Sequence, residues 1–346
     1  MQPTVLNCFS YASEKDLFAS VCSPVDLMDR PSARQLLRRC DDTTVGHLEQ
    51  ASDYELFRVL CKARPFLFGH PTLRRFEFAL QHFLGVSASL CEDQCDAVWR
   101  ACVDRLLFSS VTKWNLLDQA RVADVHVVFE PRELTNDLPQ GIRPVLNAST
   151  LYKTSADTWE VWKTEMEQTI SAFSLRGCQH VLLHLSEDYC DADPNPYTVG
   201  KALQEKGKNG QSLLLAQTFR FLSQACQDTG CTLILRVSAP KSEVLSLLKR
   251  TEQTVGIPAL IWTAKNDETA EALLDASLQS HPHAMRCGVC LADHPSDKEL
   301  ETRLAFCAAR YPIGSIIALA GTHPLDSLYE QARFLKIWQS VERSIL

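Results

Sequence analysis

Strand-like and helix-like patterns alternate through most of this chain, and that alternation limits the folds open to it. Eight segments read as strands: 4–9, 124–129, 142–147, 180–185, 232–237, 258–263, 285–291 and 315–320. Several are near-continuous apolar runs, such as Val181-Leu182-Leu183 and Leu233-Ile234-Leu235, as expected for parallel strands covered on both faces. A helical pattern follows nearly every one, over 156–173, 212–229, 241–253, 268–279, 297–310 and 326–344. Gly177 and Gly230 stand where two of these helices must stop before the next strand. The expected fold is α/β, a (β/α)8 TIM barrel, because only a closed barrel uses eight strands with a helix after nearly every one. An open doubly wound sheet would want a glycine-rich phosphate turn after an early strand. Neither GxGxxG nor GxxxxGK[ST] occurs, so nucleotide binding has no support.

Residues 25–122 interrupt the rhythm. Helical patterns fill this stretch at 31–40, 53–63, 71–84, 92–107 and 111–122, and Ser52 with Glu55 offers a capping box. We therefore expect one barrel domain over 1–346, with 25–122 as a helical insertion between the first two strands.

Composition narrows the partners. Hydrophobic residues are 45% and charged residues 22%, enough apolar surface for a substantial core. A net charge of −7 with no Lys/Arg cluster argues against nucleic acid, since phosphate binding needs a basic face. No apolar run reaches the roughly 20 residues that span a bilayer, and no basic leader precedes the first strand, so a cytoplasmic protein without a membrane partner is expected. The 14 cysteines sit mostly inside apolar periodic segments and read as reduced core residues rather than a disulfide framework.

A parallel barrel places its chemistry at the C-terminal ends of its strands. The fourth strand ends at His184 and runs into a loop with Glu187, Asp188, Asp191 and Asp193. His184 with Asp188 is the best acid/base pair there, although acidic loops of this spacing are commonly just solvated. Asp293-His294 after the seventh strand and Thr322-His323 after the eighth bring further polar groups to the same end. Together with His184 they define a zinc site only if three strands rebuild one, and no cofactor is otherwise expected. His281, His283, Cys287 and Cys290 have zinc-ligand chemistry, but on a strand Cys287 and Cys290 point to opposite faces.

Several motifs, in order, resemble those of uronate isomerases, sugar-acid isomerases on a metal-dependent amidohydrolase-type barrel. Leu84-Gly85-Val86 followed by a helix bearing Ala97-Val98-Trp99 is similar to that family's Phe-Gly-Ile and the helix after it. Ile142-Arg143-Pro144 is similar to its Phe-Arg-Pro strand, and Arg176-Gly177-Cys178 to its helix-ending Gly-Cys. Residues 257–262 with Asn266-Asp267-Glu268 resemble its sixth strand and the turn beyond, and 328–341 its closing helix.

The resemblance implies a His-x-His metal pair on the first strand, where this chain has Asn7-Cys8-Phe9. It implies a histidine at Arg236 and an aspartate at Gly321. An arginine repels a metal ion, and phenylalanine cannot ligate one. The expectation is a divergent uronate isomerase-like protein without the standard metal-dependent aldose–ketose isomerisation, retaining sugar-acid or other small-carboxylate binding. Arg143, Arg236 and Asp293 would be the substrate-binding residues and His184, Asp188 and His323 the catalytic remnants. The alternative is an active glucuronate or galacturonate isomerase whose site is rebuilt from those same residues. A third reading, a structural barrel acting through its helical insertion, leaves room for a homo-oligomer.

Overall fold

The computed structural model describes residues 4–6, 8–9, 17–28, 30–38, 48, 50–87, 90–107, 111–120, 122, 125–134, 138, 140–151, 156–205, 208–264, 267–280, 285–291, 296–310, 316–319 and 325–345. The chain forms two compact units. One comprises Met1–Ser10, Asp124–Ala320 and Lys336–Leu346; the other comprises Tyr11–Ala123 and Gly321–Leu335. The helical unit thus takes in a late segment as well as the stretch after the first strand.

The first unit is built on a parallel sheet. Its strands are β1 (Thr4–Leu6), β2 (Cys8–Phe9), β3 (Val125–Phe129), β4 (Ile142–Asn147), β5 (His180–Leu185), β6 (Thr232–Val237), β7 (Leu260–Ala264), β8 (Met285–Cys290) and β9 (Ile316–Leu319). Spatial order is β1-β9-β8-β7-β6-β5-β4-β3-β2, and every pairing is parallel.

Strands β3–β9 form a curled sheet. Val128, Val145, Leu182, Ile234, Ile261, Ile317 and Leu319 make one buried cluster. In a flat sheet β3 and β9 would lie roughly 29 Å apart, at about 4.8 Å per strand. Their side chains share a cluster because the sheet curls around it. Since alternate residues share a face, three layers line this concave side. The N-terminal layer holds His126, Arg143, His180, Thr232 and Arg286; the middle layer holds the apolar cluster with Gly288. The C-terminal layer holds Asn147, His184, Arg236, Thr263 and Cys290.

Helices cover the convex side. They are α6 (Trp159–Leu175), α7 (Pro196–Glu205), α8 (Lys208–Thr229), α9 (Lys241–Thr254), α10 (Asp267–Ser280) and α11 (Asp297–Ala308), following α1–α5 of the other unit. Helix α6 packs on β4, α8 on β5 and β6, α10 on β7 and β8, and α11 on β8. Gly177 and Gly230 follow α6 and α8 with φ of 79° and 71°, the left-handed geometry a helix stop requires. Cys287 points outward to Cys307 on α11, with the sulfurs 3.5 Å apart, and Cys290 lies on the opposite face as its spacing requires. The histidines at 281 and 283 lie outside the described residues.

The second unit contains α1 (Arg30–Arg38), α2 (Asp53–Ala63), α3 (Pro71–Leu84), α4 (Cys95–Leu106), α5 (Lys113–Gln119) and the first turns of α12 (Asp326–Ile345). The expected capping box forms: Glu55 N–H donates to Ser52 Oγ, and Ser52 N–H donates to Glu55 Oε2 at 2.7 Å. Phe57 and Phe76 meet edge to face in its core. Glu330 is fully buried between two arginines, accepting from Arg75 at 2.6 Å and from Arg333 at 3.1 Å. No described helix is long and apolar enough to cross a membrane.

Candidate functional site

The C-terminal layer of the concave face, at the strand ends, gathers Asn147, His184, Arg236 and Thr263. β5 and β6 are apolar through their middles, with Leu182 and Ile234 filling the concave side. Each then places one polar residue at the next inward position. These are His184 and Arg236, which are direct register partners. Two residues beyond Arg236, Ser238 N–H donates to Leu185 O, extending the β5–β6 ladder past the strand end. That bond puts Ser238 Oγ 3.2 Å from His184 Nε2. Ser149 Oγ accepts from the backbone N–H of His184 at 3.0 Å. The imidazole is exposed yet tethered, so it can carry a proton to or from a bound molecule.

A second polar group borders this layer. Glu130 directly follows β3 and accepts from Asn147 Nδ2 at 2.6 Å and from Thr150 Oγ1. Asn147 in turn caps the short turn Ala148–Thr150 by accepting from Ser149 N–H. One network therefore runs from Glu130 through Asn147 and Ser149 to His184. Sequence reasoning passed over Glu130, Asn147, Ser149 and Ser238. Two signals could have found them: the alternation that places Asn147 on the same face as Val145, and the short polar run Asn147-Ala148-Ser149-Thr150 at a strand end.

Arg143, expected in the mouth with Arg236, stands four residues before the end of β4 at Asn147. Arg143 therefore belongs to the N-terminal layer, roughly 13 Å along the strand from the layer of Arg236. Its neighbours there are His126 and His180, whose ring centroids are 4.7 Å apart. Burial, His126 and Arg143 together push His180 down to about 4. The two arginines share a face but not an end.

The pairing of His184 with Asp188 also changes. The His184 ring meets Ser238, while Asp188 sits exposed on the turn from Ser186 to Tyr189. Asp191 and Asp193 are bound to the outer helices. Asp191 pairs with Arg250 of α9 and accepts from Tyr189 Oη, and its N–H donates to Glu243. Asp193 pairs with Arg220 of α8 at 2.9 Å. These carboxylates are engaged by arginines and fasten the loop. Among the described residues, no three His, Cys, Asp or Glu side chains gather closely enough to hold a metal ion. Asp293, His294 and His323 lie outside the described residues.

With that geometry in hand, known proteins can be compared. No protein-family model matches the chain. A stretch of 81 residues is 28% identical to the uronate isomerase of Clostridium perfringens (strain 13 / Type A); it spans 23% of this chain and 17% of that relative. The crystal structure of uronate isomerase from Thermotoga maritima superimposes with a TM-score of 0.78 at 11% identity, covering 98% of this chain and 87% of that one. This chain has the fold of the uronate isomerases. The glucuronate isomerase of Caulobacter crescentus agrees, with a TM-score of 0.73 at 12% identity over 97% of this chain and 84% of that one.

The uronate isomerase resemblance implies a divalent metal at the C-terminal strand ends, and among the described residues no donor set for one is gathered. The sequence has Asn7, Cys8 and Phe9 where the resemblance implies two imidazoles. β6 offers Arg236, a permanent cation, on the face where a metal would sit.

Proposed function

We propose that this chain is a divergent uronate isomerase-like protein that binds a sugar acid or similar small carboxylate and does not carry out metal-dependent isomerisation. Moving a carbonyl between C1 and C2 needs a base at C2, an acid at the oxygen and support for the enediolate charge. His184 can serve one proton transfer, but the described residues gather no donor set for the metal that would polarise the carbonyl. What supports binding is one observation: Arg236 stands beside His184 in the outermost concave layer, where a guanidinium can take a carboxylate in bidentate fashion. We further propose that 4–9 acts as a single strand closing the sheet into an eight-stranded barrel. Its first half pairs with β9 and its second half with β3.

The test is a proton NMR time course of the purified protein with glucuronate and galacturonate, with and without added zinc or manganese. The expected result is concentration-dependent line broadening of the sugar acid without new ketose signals. Ketose signals would establish the alternative, an active isomerase with a rebuilt site. Sharp, unchanged lines would remove the carboxylate-binding reading.

A further inference from the structure

Ser238 and His184 have the geometry of a nucleophile and its base. Ser238 Oγ lies 3.2 Å from His184 Nε2, within the reach over which a base takes a proton from a hydroxyl. In the tautomer that carries its proton on Nδ1, the Ser238 hydroxyl donates to Nε2. That is the bond that turns a serine oxygen into a nucleophile.

Three features of the fold hold this pair ready. First, the backbone fixes both residues. His184 lies within β5, and Ser238 directly follows β6, its N–H donating to Leu185 O at 2.8 Å. Second, both side chains are within reach of a bound molecule. Ser238 stands in the short turn between β6, which ends at Val237, and α9, which begins at Lys241. A serine in a strand-to-helix turn presents its hydroxyl at the C-terminal edge of a sheet, and here His184 is exposed and Ser238 half-buried. Third, the 14-residue helix α9 opens three residues past Ser238, with Pro240 as an N-cap that makes no side-chain bond to the first turn. The positive end of a helix favours negative charge nearby, and an attacked ester carbonyl develops such charge on its oxygen.

Arg236 selects the substrate. It precedes Ser238 by two residues, so both face the concave side about 7 Å apart along the strand. A carboxylate on the guanidinium therefore leaves only a few bonds between itself and a carbonyl at Ser238. We propose that His184 and Ser238 hydrolyse an ester whose acyl part carries a second, free carboxylate; this rests on the reading of Arg236 as the carboxylate anchor. Ser238 Oγ bonds to the carbonyl carbon while its proton passes to His184 Nε2. The C–O bond to the alcohol breaks, and His184 gives the proton to the departing oxygen. Water then attacks the acyl-serine and yields a proton to His184, which returns it to Ser238 Oγ as the acid leaves. The sum is ester and water to acid and alcohol, with no change of oxidation state.

The experiment follows hydrolysis of mono(4-nitrophenyl) glutarate and of 4-nitrophenyl pentanoate, which has the same chain length without the charge. The expected kcat/KM is at least about tenfold higher for the charged ester, and Arg236→Ala should level the two. Ser238→Ala and His184→Gln should each lower turnover about a hundredfold or more. An alkyl fluorophosphonate should add to Ser238 of the unmodified protein and be found there by peptide mass spectrometry, which separates this chemistry from stray catalysis by other imidazoles. Absence of the label on Ser238, or turnover that survives Ser238→Ala, overturns the proposal. Protein that broadens the lines of glucuronate but hydrolyses neither ester also overturns it, while leaving the carboxylate site standing. Ser238-dependent hydrolysis with no preference for the charged ester overturns the Arg236 reading and the substrate class with it.

Discussion

His184 on β5 and Arg236 on β6 are cross-strand register partners, and Ser238, two residues past Arg236, holds the His184 ring at 3.2 Å. The arrangement puts a proton-carrying ring and a fixed cation side by side at the end of two strands whose middles are apolar. Neither side chain is presented by a flexible loop, so the spacing between them is set by the sheet.

Replacing the guanidinium tests that spacing directly. Arg236→Ala should weaken glucuronate binding at least about tenfold, the cost of one charge-assisted hydrogen-bonded contact. Arg236→Lys should recover only part of the loss, because an ammonium cannot make the bidentate contact. Titration by NMR line shape reads both; equal affinity in all three proteins would place the carboxylate elsewhere.

The N-terminal layer predicts a pH dependence. His180 is held near 4 against an ordinary value of 6.5, by burial first and by His126 and Arg143 next. The unfolded chain therefore takes up this proton first as the pH falls. The stability it contributes is fully present above pH 6.5 and is lost as the pH drops toward 4, up to about 3 kcal/mol in all. Urea unfolding between pH 4 and 8 should show the decline, and His180→Leu should make it shallower. An identical pH profile in the variant would contradict the assignment.

In the helical unit, the fully buried Glu330 is flanked by Arg75 and Arg333. Glu330→Ala removes the buried carboxylate between the two guanidiniums, while Arg75 keeps its longer contact with Asp326 at 3.6 Å, and should cost about 3 kcal/mol. Chemical denaturation would read this as a lowered midpoint. A change below about 0.5 kcal/mol would mean that water reaches the arginines freely.

Gly288 sits on the concave face where a Cβ has no room. A Cβ there would meet Thr263 Cγ2 at 2.7 Å, Ile261 Cγ2 at 2.9 Å and Trp262 O at 3.0 Å. Gly288→Ala should therefore destabilise by about 1–3 kcal/mol through overpacking. A thermal melt at the wild-type temperature would show instead that β7 and β8 can move apart there.

Much of the architecture was legible because the apolar runs are long. β4, β5 and β6 occupy the residues the pattern marks, and α2 and α3 begin and end where their caps and punctuation put them. Helix α7 lies in the stretch before 212–229 to which the sequence reading assigns no element. Its own signal was a reciprocal cap: Asn195 Oδ1 accepts from Thr198 N–H and Thr198 Oγ1 accepts from Asn195 N–H, with Pro196 opening the helix. The layer of Arg143 is not legible from its Arg-Pro pair, because the layer a residue occupies depends on how far its strand continues, and Val145-Leu146-Asn147 carry β4 onward. Glu130 and Ser238 fall just past strand ends, where no periodicity reaches, so only three-dimensional pairing could bring them to the site.

The pairing of β1 with β9 has a consequence for how the molecule comes to be made. Thr4 meets Ile317, so β1 leaves the ribosome and waits for a partner roughly three hundred residues downstream. Until that partner emerges, one edge of the nascent sheet stays unpaired, a template for wrong company. Successful biogenesis would then depend less on the strength of any single contact than on keeping the first strand occupied during synthesis.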